Sequence, residues 1–360
     1  MADLTAGLSV LDLDDFRVRV SQTIESVLAE QTPLLLAVSP ELLPLAETTG
    51  RLMKGGKRLR PAFAYWGWRA AGGDASDQAV AAATSLEFLQ ACALIHDDVM
   101  DGSSTRRGMP AVHKYFESLH SDSQWLGNSA NFGSGAAILL GDLCLSWADE
   151  LLLTSQLPVD ALLRAKPIYD IMRTELMAGQ YLDLLEQSRA GADVERILNV
   201  VRYKSAKYTI ERPLHLGAAL ANASENVMLS LTDYGLPLGE AFQLRDDVLG
   251  VFGDPSVTGK PAGDDLREGK RTVLVALAYE QAPKSASDVL RSKLGQADLS
   301  SEDIEQLRDI ITTSGSLAAV EHMIDIGREA ALTALETADI TEQSKFVLAN
   351  LAVAATQREA

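Results

Sequence analysis

Two groups of aspartates interrupt apolar, helix-like stretches of this sequence. The first group is Asp97, Asp98 and Asp101, and the second is Asp246 and Asp247. Residues three and four apart share one face of a helix, so a helical first group would present its carboxylates together. Like charges at that spacing repel one another unless a cation lies between them. Oxygen ligands without His or Cys suit Mg²⁺, which normally completes its shell with water and substrate phosphates.

Either group alone would also fit a solvated acidic helix end. Two groups, each inside an apolar helix, are hard to explain in that way, and the chain carries basic residues in or near its other informative stretches. These are Lys57, Arg58, Arg60, Arg106, Arg107, Lys204, Lys207, Lys260 and Lys270. Arg binds phosphate oxygens through two parallel hydrogen bonds, and Lys supplies a compact charge. The pattern therefore favours a phosphate or diphosphate ligand bound together with Mg²⁺.

The elements that must position these residues are helical almost throughout. Apolar residues recur at i, i+3, i+4 and i+7 in residues 79–100, 137–153, 165–187, 226–252 and 318–338. No stretch shows sustained two-residue alternation, and Gly, Pro and Ser clusters separate the helical segments. We expect an all-α fold, built as one large helical bundle.

Length and composition agree with one large domain. The chain has 360 residues, of which 47% are hydrophobic, so it can bury a sizeable core. No low-complexity linker divides it. We expect a single domain over residues 1–360, with a motif-bearing core at about 50–275 and C-terminal helices at about 276–358.

The charge balance limits the partners. A formal net charge of -18 disfavours nucleic acid and anionic membranes as general partners. Cys92 and Cys144 lie in apolar stretches and are expected to be free, buried thiols in a reducing compartment. The N-terminus lacks a basic region followed by an apolar core, and Asp142, Asp149 and Glu150 interrupt the longest apolar stretch. We therefore expect a cytoplasmic protein without stable membrane insertion.

Six motifs in order give this sequence a resemblance to a known family, the trans-isoprenyl diphosphate synthases (polyprenyl synthetases). The motifs are GGKRLRP, LIHDDVMDGSSTRRGMPAVH, GQYLDL, YKSAKY, FQLRDD and GDPSVTGKPAGDDLREGKRT, which together span residues 55–272. Within the family, the sequences of these motifs are most similar to those of actinobacterial geranylgeranyl diphosphate synthases. The resemblance implies the isoprenoid synthase type of helical bundle with a central apolar tunnel. It also implies a homodimer.

The resemblance assigns roles residue by residue. The Mg²⁺ ligands, three ions in number with substrate bound, would be Asp97, Asp98, Asp101, Asp246 and Asp247. Isopentenyl diphosphate would be bound by Lys57, Arg58, Arg60, Gln90 and Arg107. The allylic diphosphate would be bound by Arg106, Gln180, Asp183, Lys204, Ser205, Gln243, Lys260 and Lys270. The catalytic set would comprise the five aspartates with Lys204, Ser205 and Gln243.

Three positions depart from the common family pattern. The third position of the second aspartate motif is Gly250, and the next carboxylate is Asp254, one turn later. Position 205 is Ser where Thr is frequent, which keeps the hydroxyl. Gln90 stands where many relatives have a His, and its amide can still donate to a phosphate oxygen.

The resemblance implies head-to-tail prenyl transfer. Mg²⁺ and the cations would stabilise charge on the departing diphosphate, and the allylic cation would be attacked by the double bond of isopentenyl diphosphate. Product length would depend on an apolar tunnel below Asp97. Cys92 and Ala93 are small and would leave its upper part open, while Leu89, deeper in the tunnel, is a candidate floor, with Leu86 and Trp147 as others. We expect geranylgeranyl diphosphate; farnesyl or longer products are the alternative.

Three other classes fit the sequence less well. A class I terpene cyclase would share the first aspartate group but normally has a different second motif and no need of GGKRLRP. A non-catalytic synthase subunit commonly lacks one aspartate group. A plain helical scaffold would not explain the paired Arg and Lys sets.

Overall fold

The computed structural model describes residues 13–189, 191–254, 263–296 and 298–357. Within these residues the chain is almost entirely helical, and its strands are a pair of two-residue segments. The expected all-α bundle is therefore confirmed. Lys260, one of the expected diphosphate ligands, lies outside the described residues.

The first half of the chain carries the long central helix of the bundle. Its helices are α1 Phe16–Val38, α2 Leu43–Leu52, α3 Leu59–Ala70, α4 Asp77–Asp101, α5 Val112–Asp122, α6 Ser129–Leu153 and α7 Val159–Ser188. Strands β1 Thr105–Arg106 and β2 Met109–Pro110 pair in antiparallel fashion between α4 and α5. The two residues of this hairpin's turn, Arg107 and Gly108, have φ values of 53° and 73°, as a tight two-residue turn requires.

The second half begins with a short helix that continues into a π-helix. The helices are α8 Val194–Val200, the π-helix Val201–Glu211, α9 Arg212–Leu220, α10 Glu225–Phe252, α11 Asp264–Glu268, α12 Val273–Gln281, α13 Lys284–Lys293, α14 Ser301–Thr313, α15 Ser316–Thr337 and α16 Glu342–Thr356. Helix α10 passes through Pro237 without interruption, whereas Pro213 stands in the first turn of α9, just after the π-helix. Proline is tolerated there because the first amides of a helix have no partner within it.

Helices α4 and α6 form the most extensive pair in the bundle. Helix α4 begins at a Ser76 cap, whose hydroxyl accepts from the Ala79 amide. Its side chains Leu86, Phe88, Leu89 and Ile95 are at most 1% exposed. By length and composition α4 could span a membrane, but 67% of its most apolar window is buried inside the protein. Its apolar character is therefore accounted for by packing in the core.

Two clusters of buried apolar residues share helix α10. The larger joins α3, α4, α6 and α9 to the first half of α10, through residues such as Leu231 and Leu238. The smaller joins the second half of α10, through Leu244 and Val248, to α12, α14 and α15. Because α10 belongs to both clusters, the aspartates near its end are anchored from two sides.

Candidate active site

The first aspartate group occupies the last turn of α4. The helix ends at Gly102, which has a φ of 68° and whose amide donates to the Asp98 carbonyl. No basic residue lies in that last turn. A helix C-terminus carries partial negative charge, so three carboxylates there are unfavourable without added cations. Other elements must supply those cations.

Arg106 and Lys204 provide two of them. Arg106, on β1, donates from Nε to Asp98 Oδ1 at 3.0 Å and lies 3.5 Å from Asp97 Oδ2. Lys204 Nζ lies 3.2 Å from Asp97 Oδ1 and 2.6 Å from Asp183 Oδ2. Burial alone would raise the pKa of Asp97, but Lys204, Arg106 and Lys270 lower it below its usual value.

The backbone of the π-helix places Lys204 between two neighbouring helices. A Cβ on Gly179 of α7 would lie 2.5 Å from the Lys204 amide nitrogen, and one on Gly239 of α10 would lie 2.6 Å from Ala206 Cα. Both helices therefore approach the π-helix at distances that a side chain would prevent. This close contact brings Lys204 to Asp183, four residues after Gly179. Such π-helical turns occur frequently at functional sites.

Asp101 completes the first group with an unsatisfied carboxylate. Burial and the neighbouring Asp97 raise the pKa of Asp101 to about 6. Its Oδ1 is buried and finds no hydrogen-bond partner among the described residues. A buried acceptor without a donor is costly. An oxygen-preferring cation such as Mg²⁺ would satisfy this oxygen.

The second group lies near the end of α10. Asp246 is exposed, whereas Asp247 is 6% exposed and accepts a hydrogen bond from Gln243 Nε2 at 2.8 Å. Burial raises the pKa of Asp247 well above its ordinary value, and the charges of Asp265 and Asp246 add to this against the opposing Gln243 hydrogen bond. This carboxylate too requires a nearby cation to be stable in its ionised form.

The positive charge of Lys270 acts on a residue of each group. Its Nζ lies 3.2 Å from Asp265 Oδ1 and 2.9 Å from Glu268 Oε2. Its charge helps to lower the pKa of Asp97 and opposes the rise in the pKa of Asp247. Burial would lower the pKa of Lys270, but Asp265 and Glu268 raise it well above its ordinary value. One residue of each aspartate group therefore lies within electrostatic range of Lys270.

A metal ion beside these carboxylates would need ligands from outside the protein. Within the described ranges, no three acidic, His or Cys side chains come close enough to enclose a metal ion. Mg²⁺ commonly binds through one or two carboxylates and takes its remaining ligands from water and phosphate. The all-oxygen donor set and the unsatisfied Asp101 oxygen fit that behaviour.

A second group of cations lies at the turn before α3. Arg107 Nη1 donates to the Leu52 carbonyl at 3.1 Å, and Arg107 Nη2 lies 3.4 Å from the position that a Gly56 Cβ would take. Desolvation of its guanidinium lowers the pKa of Arg107, as do the charges of Arg58, Arg106 and Arg60, although Glu87 acts in the opposite direction. A lowered arginine pKa marks an excess of positive charge, which an anion would relieve.

Arg60 contributes from the first turn of α3. Its Nη2 donates to Thr209 Oγ1 at 2.8 Å, and its guanidinium lies 4.5 Å from the centre of the Tyr208 ring. The Arg60 Nε is buried without a hydrogen-bond partner in the described part of the chain, and the same holds for Gln90 Oε1 and Gln180 Nε2. Three expected substrate-binding residues thus retain unsatisfied polar atoms.

Arg58, also expected to bind isopentenyl diphosphate, already has partners within the protein. It is 6% exposed, forms an ion pair with Glu87 of α4, and donates to the Met53 carbonyl at 2.6 Å. These contacts hold the GGKRLRP turn against α4. Arg58 therefore contributes to the structure of the site. Its neighbour Lys57 is exposed.

The remaining expected residues lie where the sequence places them along the helices. Ser205 follows Lys204 on the π-helix and is partly buried, and Cys92 and Leu89 are buried on α4 one and two turns before Asp97. Ala93 is partly buried. The sequence reasoning missed Phe88, which stands four residues before Cys92 on the same helix face and contacts Trp147 edge-on, with ring centres 6.3 Å apart.

Acidic partners of the cations were also missed. Glu87, Asp265 and Glu268 pair with Arg58 and Lys270, and Ser103 Oγ donates to Glu268 Oε1 at 3.0 Å. Asp265 and Glu268 lie inside the quoted motif GDDLREGKRT. Both acidic residues were therefore visible in the motif, but only their contacts show that they pair with Lys270.

Comparison with known proteins gives the family. A sequence model of polyprenyl synthetases matches residues 44–311. A solved geranylgeranyl pyrophosphate synthase from Corynebacterium glutamicum, complexed with isoprenyl diphosphate and magnesium, is 42% identical, with a TM-score of 0.93 over 97% of this chain and 100% of that one.

Curated relatives agree. A geranylgeranyl diphosphate synthase from Mycobacterium tuberculosis is 33% identical over 79% of this chain and 75% of its own length. A geranylfarnesyl diphosphate synthase from Aeropyrum pernix is 33% identical over 79% of this chain and 84% of its own length. The chain therefore belongs to the polyprenyl synthetase family and is a trans-prenyltransferase.

Proposed function

We propose that this enzyme is a geranylgeranyl diphosphate synthase. It condenses isopentenyl diphosphate head-to-tail with allylic diphosphates up to the twenty-carbon product. The observation that carries this proposal is the presence of two cation groups, one beside the aspartates and one at the turn before α3. Two separate cation groups suit a reaction that holds two diphosphates at once.

The allylic diphosphate binds between the aspartate groups. Bound Mg²⁺, in three ions as the family resemblance implies, supplies Lewis-acid stabilisation of the departing diphosphate. Arg106, Lys204 and Lys270 add fixed positive charge on the same side. Because these groups are already in place before ionisation, they stabilise the leaving group without reorganisation.

Isopentenyl diphosphate binds at the second group, through Lys57, Arg60 and Arg107, with Gln90 as an amide donor. The allylic C–O bond breaks and its electron pair leaves with the diphosphate. The alkene of isopentenyl diphosphate then forms the new C–C bond, and the proton lost afterwards goes to the released diphosphate. Holding both partners in register removes much of the entropic barrier.

The small residues below Asp97 support the twenty-carbon product. Cys92 and Ala93 leave room for a chain longer than farnesyl, while Phe88 and Trp147 place two large side chains one turn deeper. The relatives named above for twenty-carbon and twenty-five-carbon products agree with an open upper part.

We also infer a homodimer of single-domain subunits, acting in the cytoplasm. Helix α6 presents large apolar side chains to solvent: Phe132 is 39% exposed, Leu139, seven residues later, is 63% exposed, and Leu153, fourteen residues after that, is 54% exposed. Such a stripe along a helix is typical of a helix-packing surface. Sedimentation velocity should show a dimer, and Leu139→Asp should shift it to monomer; a monomeric wild-type protein would contradict the inference.

The sharing of α10 by both apolar clusters supports the single domain.

A product assay tests the function. Purified protein receives isopentenyl diphosphate with dimethylallyl, geranyl or farnesyl diphosphate, with and without Mg²⁺, and the dephosphorylated products are sized. We expect a Mg²⁺-dependent twenty-carbon alcohol. A fifteen-carbon or much longer product would contradict the product assignment, and absence of elongation with every primer would point to a cyclase or a non-catalytic subunit.

A further inference from the structure

Glu87 of α4 is an acidic residue within the cation group at the turn before α3. Its side chain is 11% exposed and forms an ion pair with Arg58, whose side chain is 6% exposed. Its charge opposes the fall in the pKa of Arg107, and Gln90 follows three residues later on the same helix face. Glu87 therefore lies among the groups expected to bind isopentenyl diphosphate, although a carboxylate would repel that ligand.

Arg58 has a backbone conformation that needs support. Its φ is 53°, in the left-handed region that residues with a Cβ rarely adopt. Its carbonyl accepts from the Ala62 amide at 3.0 Å, so Arg58 begins α3. Its Nη1 donates to Glu87, and its Nη2 donates at 2.6 Å to the carbonyl of Met53, just after α2. The side chain of Arg58 therefore ties the turn to α4 and to the end of α2.

Arg107 is held against the same turn from the β1–β2 hairpin. Its Nη1 donates to the Leu52 carbonyl at 3.1 Å, one residue before the carbonyl that Arg58 uses. Its Nη2 lies 3.4 Å from the position that a Gly56 Cβ would take. A shift of the turn would therefore move the surface against which Arg107 lies, and would move Arg60 in the first turn of α3 with it.

The ion pair of Glu87 and Arg58 is explained by geometry better than by stability, because the desolvation of two buried charges offsets much of their attraction. We propose that Glu87 is a positioning residue for isopentenyl diphosphate: through Arg58 it fixes the GGKRLRP turn, so that the cations of this group converge on the ligand. The inference rests on the proposed function, which places isopentenyl diphosphate at this group. Arg58 then acts through the turn and does not contact the diphosphate.

Steady-state kinetics of two Glu87 variants distinguishes positioning from charge. Glu87→Asp keeps the charge but withdraws the carboxylate by one methylene, so it should raise the KM for isopentenyl diphosphate by about tenfold or more, the scale of one lost hydrogen bond between charged groups. Glu87→Gln loses the charge, but its amide oxygen still accepts from Arg58, so the increase should be smaller. The kcat and the KM for the allylic diphosphate should change little. A normal KM in Glu87→Asp with a lowered KM in Glu87→Gln would mean that Glu87 acts only as a charge, and would overturn the proposal.

Arg58→Lys tests the route through the turn. Lysine keeps the charge but lacks the planar fork that donates to Glu87 and to the Met53 carbonyl together. It should raise the KM for isopentenyl diphosphate as Glu87→Asp does, and the double variant should be no worse than either single variant, because both changes remove the same interaction. A raised KM in Arg58→Lys with a normal KM in Glu87→Asp would mean that Arg58 binds the diphosphate itself, which contradicts the proposal.

Glu175→Asp is the matched control for loss of a partly buried ion pair. The side chain of Glu175 on α7 is 14% exposed and pairs with Arg212 at the start of α9, and neither helix carries a residue expected to bind isopentenyl diphosphate. This variant should lose stability in thermal unfolding, followed by circular dichroism, without a change in the KM for isopentenyl diphosphate. An equal rise in that KM would show that general destabilisation, not positioning, causes the effect.

Amide hydrogen exchange gives a readout that needs no turnover. Residues 54–60 should exchange faster in Glu87→Asp than in the wild type or in Glu175→Asp, because the turn is then held less firmly. If the wild type forms no product from isopentenyl diphosphate, the proposed function is wrong, whatever the exchange shows. If the wild type is active, and Glu87→Asp changes neither the KM nor the exchange, the proposed function stands and the role of Glu87 is wrong.

Discussion

At the scale of single residues, the site contains charges that lack compensation until a ligand arrives. Burial raises the pKa values of Asp101 and Asp247, whereas desolvation and three neighbouring arginines lower the pKa of Arg107. Each shift disfavours the charged form that catalysis needs. The metal ions would supply the positive charge that Asp101 and Asp247 lack, and the diphosphate would supply the negative charge that Arg107 lacks. Binding of the ligand would therefore be favourable at these groups.

Asp101→Asn should stabilise the ligand-free enzyme at alkaline pH. Because the folded-state pKa of Asp101 is raised to about 6, its contribution to stability is present at low pH and is lost as the pH rises through that value. At pH 8 the variant should gain up to about 3 kcal/mol in free energy of unfolding, from about two pKa units. The gain should shrink towards pH 5. Urea unfolding without divalent metal measures it.

The exposed Asp233→Asn on α10 is the control and should show no such pH-dependent gain. Saturating Mg²⁺ and diphosphate should reverse the order of stability, because the wild-type carboxylate then has a cation. An Asp101→Asn protein that is less stable than wild type at pH 8 without metal would refute this account of Asp101.

Arg107→Lys should raise the KM for isopentenyl diphosphate by at least about tenfold, since a charge-assisted hydrogen bond is worth about 1.5–3 kcal/mol. The KM for the allylic diphosphate should change little, because Arg107 belongs to the cation group before α3. Steady-state kinetics with each substrate varied in turn measures both. Arg51→Lys, an exposed change on α2, is the control. Equal increases in both KM values would argue against two separate diphosphate sites.

At the scale of elements, periodicity predicted the helices but not their internal irregularities. The 3.6-residue pattern identifies α4, α6, α7 and α10, because each buries an apolar face. It does not distinguish a π-helix from an α-helix, so the π-helix over residues 201–211 could not be predicted from periodicity. A proline inside a helix commonly kinks or breaks it, yet α10 continues through Pro237 without a break. Tertiary packing on both sides of α10 outweighs that local preference.

Helices α3 and α9 cross at a pair of glycines. A Cβ on Gly67 would lie 2.2 Å from the Leu214 carbonyl oxygen, and one on Gly217 would lie 1.7 Å from the Ala64 carbonyl oxygen. Gly217→Ala should therefore destabilise the protein by about 1–3 kcal/mol or more through overpacking. Gly135→Ala on α6 has open space and should instead gain up to about 1 kcal/mol from helix propensity.

Urea unfolding of the two variants compares them directly. The residue change is the same and both positions are helical, so intrinsic propensity favours alanine in each case. A stabilised Gly217→Ala protein would mean that α3 and α9 separate without loss, and that the close crossing is not needed to hold the GGKRLRP turn at the start of α3.

At the scale of the whole molecule, the order of the motifs predicted the family, which the comparisons confirm, because each motif carries its own chemistry; the roles that it assigns to the site residues stay predictions. It could not predict contacts between motifs. The pairing of Arg58 with Glu87, and the bridge from Ser103 through Glu268 to Lys270, join residues far apart in the chain. The floor below Cys92 was likewise assigned to Leu89, Leu86 or Trp147, and Phe88 became visible only through its contact with Trp147.

Product length should be set by that aromatic contact. Phe88 is 0% exposed and Trp147 5%, and they meet from two helices, so together they would block a growing chain one turn below Cys92. Combining Phe88→Leu with Trp147→Leu should shift the product beyond twenty carbons, whereas Ala93→Phe should shorten it to fifteen. Leucine replaces each ring to limit the loss of packing, which would be about 3–5 kcal/mol for alanine. Sizing of the dephosphorylated products measures the shift.

Phe116→Leu provides the control for destabilisation, because Phe116 is 3% exposed on α5 and should lose packing energy without changing product length. If the double leucine variant still stops at twenty carbons while Ala93→Phe shortens the product, the chain passes Cys92 but ends on Leu89 or Leu86. If neither changes the product, the chain does not descend along this face of α4, and the small size of Cys92 and Ala93 reflects core packing.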